Sequence, residues 1–169
     1  MMTFKRKLII AFTAILALGL LLPGRVAVPV ENATAKDWNV NSFWYEPWGK
    51  SGVHKGIDIF ATKGSRVISS NYGLVIFTGN IKLGGNVVVI LGPKWRIHYY
   101  AHLNSITAKT FDFAGKGDII GSVGDSGNAK GKSPHLHYSV FSIIPYPWRF
   151  STETQGWKKM FIMNPAESI

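Results

Sequence analysis

The sequence predicts a mainly β, single-domain protein whose strands pair antiparallel. Three features carry that expectation: short runs rich in β-branched and aromatic residues, glycine-bearing turns between them, and no sustained helical period after the N-terminal segment. In order, the runs are Arg66-Val67-Ile68, Leu74 to Phe77, Asn86 to Leu91, Arg96 to Ala101, Asp118 to Val123 and Leu136 to Phe141. The breaks are Lys63-Gly64, Asn71-Tyr72-Gly73, Gly79-Asn80, Gly84-Gly85, Gly92-Pro93 and Gly124 to Gly131. The spacing leaves no room for βαβ crossovers, so neighbouring strands are expected to pair antiparallel.

Length and composition fit one packed domain. A chain of 169 residues fills one hydrophobic core and is short for two. Hydrophobic residues at 46% against 17% charged exclude a disordered chain, and 18 glycines favour a turn-rich β protein over a helix bundle. The formal net charge of +10 calls for an anionic partner, whether nucleic acid, anionic lipid or an acidic wall polymer. There is no cysteine, which removes a disulfide framework, thiolate zinc ligands, a cysteine nucleophile and a lipoprotein anchor together.

At the N-terminus, Lys5-Arg6-Lys7 precedes an uncharged run from Leu8 to Leu22 that ends at Pro23-Gly24. As a helix this run reaches about 22 Å, against a hydrocarbon core of roughly 30 Å, so it fits a signal sequence better than a standard span. Ala33-Thr34-Ala35 offers an A-x-A cleavage motif, though rather far from the apolar run. The alternative is a short retained anchor, with membrane association through residues 8–22. Either way the chain is expected to be exported, to a periplasmic, cell-wall or extracellular site. Residues 1–35 are therefore set apart as targeting sequence and 36–169 as the functional domain, with an aromatic lead-in at 36–50.

Five histidines are the candidates for chemistry: His54, His98, His102, His135 and His137. His135-Leu136-His137 opens a strand, so alternation places both imidazoles on one face with Cα atoms about 6.6 Å apart. His54 and Asp58 stand about 13 Å apart if extended, too far to share a metal; a helix would bring them together, but Gly56 and the β-branched flanks favour a bend at Lys55-Gly56. By period two, His98 and Tyr100 share a strand face with His102, but His98 lies about 13 Å back and should miss the site. Together His54, Asp58 and His137 supply two neutral nitrogens and one carboxylate, a donor set that suits catalytic zinc and leaves a fourth position open. His102 and His135 remain as uncoordinated groups for acid/base work or oxyanion stabilisation.

With those residues in place the chain resembles the lysostaphin-type, or LytM-type, zinc endopeptidases. The matching text is His54-x-x-x-Asp58, Tyr100-Ala101-His102-Leu103, Lys116-Gly117-Asp118-Ile119-Ile120-Gly121-Ser122-Val123-Gly124-Asp125-Ser126-Gly127, Pro134-His135-Leu136-His137-Tyr138 and the terminal Asn164-Pro165. The resemblance runs from about Trp48 to the C-terminus and falls in the family's order. It implies one zinc ion per chain held by His54, Asp58 and His137, with His102 and His135 as the catalytic pair. It also implies a twisted antiparallel sheet with the site in a groove across its face, and peptide bonds of peptidoglycan cross-links or stem peptides as substrate. Three features depart from the family pattern: Ser139 where an acidic residue often follows the last histidine, an aromatic and basic insertion at 143–163, and a longer, more basic loop at 127–133.

Trp44, Trp48, Trp148 and Trp157 either line the groove or cover the edges of the sheet. Two rival functions share the fold: a non-catalytic wall-binding or regulatory domain, and a zinc peptidase acting on secreted proteins. Nucleic-acid binding fits the charge but accounts for neither the export signal nor the histidine pattern.

Overall fold

A computed structural model describes residues 2–169. Ten strands form two sheets, and every pairing is antiparallel. The larger sheet contains β1 (Ile57–Phe60), β3 (Gly73–Ile81), β4 (Gly85–Gly92), β5 (Arg96–Leu103), β7 (Phe113–Ala114), β9 (His135–Ser142) and β10 (Ile162–Met163). Its order is β1-β9-β5-β4-β3-β7, with β10 continuing the edge that β1 occupies along β9. The smaller sheet joins β2 (Arg66–Ile68), β8 (Ile119–Ser122) and β6 (Ser105–Ile106) in the order β2-β8-β6. All six strand-like runs read from the sequence are strands.

The core lies between these sheets. Ile57 and Ile59 of β1, Val88 and Ile90 of β4, and Leu136, Tyr138 and Val140 of β9 turn inward by period two and meet Val67 and Ile120 of the small sheet. Each strand's alternate residues are thereby left for the opposite face, where β1, β9 and β5 stand side by side. Within the core sits a polar knot. The Ser70 hydroxyl lies 2.7 Å from the Tyr100 hydroxyl and 2.6 Å from that of Tyr138, and His98 Nδ1 lies 2.7 Å from Tyr138 Oη. His98 is thus a buried core residue, away from the histidines of the opposite face.

Residues 4–21 form helix α1 (Phe4–Leu21), whose apolar side chains, among them Phe12, Leu18 and Leu21, are largely exposed. The Trp95 indole donates to the Leu16 carbonyl at 2.9 Å. Among the described residues no helix is long and apolar enough to cross a membrane. The segment after the helix packs against the small sheet. Residues 27–31 run along β2: Ala27 N–H donates to Ser70 O, Ile68 N–H to Pro29 O, and Glu31 N–H to Arg66 O. Val30 pairs with Val67 and is 1% exposed. The packed unit therefore extends N-terminally beyond residue 36, because a short small sheet gains an edge and an apolar side chain from this segment.

Two outcomes follow from this packing. A chain beginning at Lys36 should be less stable than one beginning at Arg25 by about 2 kcal/mol or more in urea unfolding, the order expected for one buried valine and three backbone hydrogen bonds. The second concerns His98, whose imidazole is pushed down to about 4 by burial and by Arg96. The unfolded chain therefore takes up this proton first, so the stabilisation is complete above pH 6.5 and is lost as pH falls toward 4. Between those limits the wild type should lose on the order of 3 kcal/mol that His98→Gln does not lose, measured as the pH slope of unfolding free energy.

Candidate metal centre

Asp58 on β1 stands directly opposite His137 on β9, and Phe60 opposite His135. Because Ile57, Ile59, Leu136 and Tyr138 fill the core, these four side chains are turned to the outer face. His54 precedes β1 and reaches the same point through the bend at Gly56. The sequence assigned that glycine a conformational reason, but the structure supplies a steric one. A Cβ on Gly56 would lie 2.5 Å from both Tyr138 O and Ser139 Oγ, so only glycine lets this segment lie against β9.

His102 reaches the site by a different route from the one its spacing suggested. Simple alternation would put it with His98 and Tyr100, and those two point into the core. The register between β4 and β5 shifts between Asn86 and Val88, where Leu103 and Tyr100 are the respective partners, so β5 carries an extra residue there. His102 has φ 63°, a left-handed conformation that a non-glycine residue seldom adopts. This bulge turns His102 to the outer face, and its ring centroid lies 5.1 Å from that of His135 and 5.9 Å from that of His137.

His54 Nε2, Asp58 Oδ1 and His137 Nδ1 converge. The two nitrogens are 3.1 Å apart, and they lie 3.2 and 2.8 Å from the carboxylate oxygen. The protons of both rings have other partners. His54 Nδ1–H donates to the Ser42 carbonyl at 2.9 Å, and His137 Nε2 has the Ser139 hydroxyl at 2.9 Å. With Nε2–H of His137 donating to Ser139, three lone-pair-bearing atoms face one another in a partly buried place, an arrangement that a cation satisfies. Ligand atoms around tetrahedral zinc stand roughly 3.3–3.6 Å apart, so a shift of a few tenths of an ångström accommodates the ion. These residues therefore fit a metal.

Electrostatics agree with that fit. Burial acts to raise the Asp58 carboxyl, but hydrogen bonding to His137 and His54 outweighs it and holds the group far below the usual carboxylate range. Burial lowers His137 even against the pull of Asp58, which by itself would raise it. The two shifts pull in opposite senses, since a charged His137 would account for part of the depression at Asp58. Burial of the ring decides the matter: His137 is neutral and Asp58 ionised, the states that bind metal.

The remaining imidazoles are fixed in the same manner. His102 Nδ1–H donates to Ser126 O at 3.0 Å, and His135 Nδ1–H to Ser133 O at 2.8 Å. With Nδ1–H so engaged, Nε2 of each ring is the nitrogen turned to the cleft, and that of His135 lies 3.9 Å from Asp58 Oδ2. Burial, with His137 and His135 adding to it, pushes His102 down to about 4, so it is neutral at physiological pH. Both rings line a cleft of about 770 Å³ that also takes in Trp48, Phe60, Tyr99 and the three converging residues.

All five site residues singled out in the sequence thus meet in one cleft. Of the four tryptophans considered, Trp48 lines it and stacks on His54 at 4.0 Å between centroids. Trp44 is buried with Val53 and Ile162, while Trp148 and Trp157 are exposed away from the cleft. Sequence reasoning missed Ser42, Ser126 and Ser133, whose carbonyls orient three of the rings. Main-chain carbonyls leave no trace in residue identity. It registered Ser139 only as a departure, and that side chain faces the His137 ring.

The sequence model for Peptidase family M23 matches residues 52–144. The chain is 35% identical to an L-Ala--D-Glu endopeptidase of Bacillus subtilis over 80% of its own length and 46% of that protein's. It is 30% identical to the murein hydrolase activator NlpD of Escherichia coli over 61% of its length and 27% of that protein's. The chain thus spans less than half the length of these curated relatives. Among solved structures, the catalytic domain of lysostaphin from Staphylococcus simulans superposes with a TM-score of 0.55 at 28% identity, over 59% of this chain and 76% of that one.

Ser139 offers a direct test of the geometry. Removing a group that orients a metal-ligating histidine costs about 10- to 100-fold in affinity, so Ser139→Ala should weaken metal binding by that factor in a chelator competition while thermal stability stays close to wild type.

Proposed function

This chain belongs to peptidase family M23, and from that premise we propose that it is a zinc-dependent endopeptidase that hydrolyses peptide bonds of bacterial peptidoglycan, in cross-links or stem peptides. The observation that carries the proposal is the meeting of three lone pairs, from His54, Asp58 and His137, beside two further imidazoles whose Nε2 atoms are free. One zinc ion per chain would be held by His54, Asp58 and His137. When bound, zinc supplies Lewis acidity that polarises a peptide carbonyl and makes water a stronger nucleophile at neutral pH.

The protein's own groups do the proton work. A neutral His102 or His135 can accept at Nε2 the proton that water loses on attacking the carbonyl. Its Nδ1–H remains bonded to a backbone carbonyl, so the ring does not turn during transfer. The resulting imidazolium can return the proton to the departing amine, which leaves as a neutral product. Buried, pre-oriented rings make this transfer without rearranging solvent. Among the described residues the cleft face of β1, β9 and β5 carries no acid other than Asp58, which would be committed to the metal.

A regulatory reading without catalysis is favoured by the likeness to the Escherichia coli activator. The complete set of ligands and acid/base groups in this chain supports the hydrolase instead. Action on the wall also fits the export expectation, so we place the working domain outside the cytoplasmic membrane, with the apolar run at residues 8–22 as the core of its targeting segment or anchor.

The test separates ligands from proton carriers. Asp58→Ala and His137→Ala should lose bound zinc and activity together, measured by metal analysis after dialysis. His102→Ala and His135→Ala should keep stoichiometric zinc yet release wall fragments on the order of a hundredfold more slowly. Zinc loss from either of the latter, or full activity in both, would overturn the assignment.

A further inference from the structure

Among the described residues most of the protein's cationic side chains make no ion pair. Away from the cleft several are paired: Lys63 with Asp125 at 2.7 Å, Arg66 with Glu31 at 3.4 Å, Arg149 with Glu167 at 3.9 Å, and Lys159 with Glu153. The cleft is lined by Lys50, Lys55 and Lys132, and among the described residues none of the three makes an ion pair. Its one acidic side chain, Asp58, belongs to the metal centre. Three unpaired cations against one committed carboxylate leave the cleft positive, and a bound divalent ion adds to that.

The lysines come from two separate loops. Lys55 follows the ligand His54, and its ammonium donates to Ser51 O at 2.7 Å and Val53 O at 3.3 Å. The same Ser51 carbonyl accepts from Gln155 Nε2 at 2.9 Å, and Gln155 Oε1 accepts from Lys158 Nζ at 2.6 Å. The insertion at 143–163 therefore buttresses this loop and brings a second cation, Lys158, near Lys55. Lys132 approaches from the basic loop at 127–133, just ahead of His135. The two loops thus meet the β9 histidine pair from its His137 end and its His135 end.

We infer that this cleft selects peptides with free carboxylates near the cleaved bond, Lys132 engaging one and Lys50 with Lys55 another. The inference rests on the peptidase reading and adds its substrate class: an anionic peptide in preference to a neutral one. Two of the features that depart from the family pattern, the basic loop and the insertion, acquire a common role in it. Lysine suits the task because a flexible stem carries a compact charge to carboxylates whose positions vary.

The experiment compares a wall stem peptide carrying free carboxylates with the same peptide after conversion of those groups to carboxamides. Affinity for the zinc-loaded full chain and rate of cleavage are both measured, at low and high ionic strength. Two exposed pairs imply about tenfold tighter binding of the carboxylate peptide at low salt, with the preference shrinking as salt is raised. Lys50→Gln with Lys132→Gln should remove most of that preference, change affinity for the carboxamide peptide less than about twofold, and leave zinc content unaltered. Lys132→Arg should retain its share. Equal affinity of the wild type for both peptides, or a preference indifferent to the substitutions, overturns the inference even if both are cleaved. A preserved preference without cleavage of either peptide instead overturns the peptidase reading and leaves carboxylate selection standing.

Discussion

The direct opposition of Asp58 and His137 across the β1–β9 ladder is the constraint on which the rest of the site depends. Strand periodicity leaves no freedom here. A slip of β1 by one residue along β9 would send Asp58 into the core and bring Ile57 and Ile59 to the surface. The cost of exposing those fully buried chains is what holds the register, so the hydrophobic core and the polar centre specify the same alignment. Gly56 then decides whether His54 can join them, because any side chain at that position would strike the β9 backbone.

Once assembled, the centre is kept in a single protonation pattern by groups with no chemistry of their own. Carbonyl oxygens of Ser42, Ser126 and Ser133 each hold the Nδ1–H of one ring, which leaves Nε2 of His54, His102 and His135 available. His137 is held the opposite way round, through Ser139. The ring that presents Nδ1 to the metal position is thus the one oriented by a side chain on its own strand. Burial reinforces the pattern by disfavouring imidazolium at His102 and His137. Preorganisation of this kind lets a proton move without a change of rotamer, and small displacements of the supporting loops would be felt at the metal.

The cleft is built from strands of the large sheet and from the loops that flank them. β1, β5 and β9 carry Asp58, His102, His135 and His137, and the chain belongs to peptidase family M23. The loops at 49–55 and 127–133 bring charge, and the insertion at 143–163 braces the first of them through Gln155. Most of the site is thereby placed on paired strands, with His54 and the cleft charges on the flanking loops.

Much of this was legible in the residues themselves. The six strand-like runs, the outward pairing of His135 with His137, and the family resemblance all follow from order and spacing along the chain, because period-two alternation is a local property of extended backbone. Other features were settled only by contacts between distant segments. The face taken by His102 depends on a bulge created by counting residues of β5 against those of β4. Gly56 is required by the closeness of β9, and Val30 belongs to the core because β2 had an edge to offer. Trp148 and Trp157, which composition could have placed in the cleft, lie outside it. Sequence by itself determined which residues could bind a metal and move a proton. Tertiary structure decided which of them face one another, since register, close approach and burial are properties of pairs of segments rather than of either one.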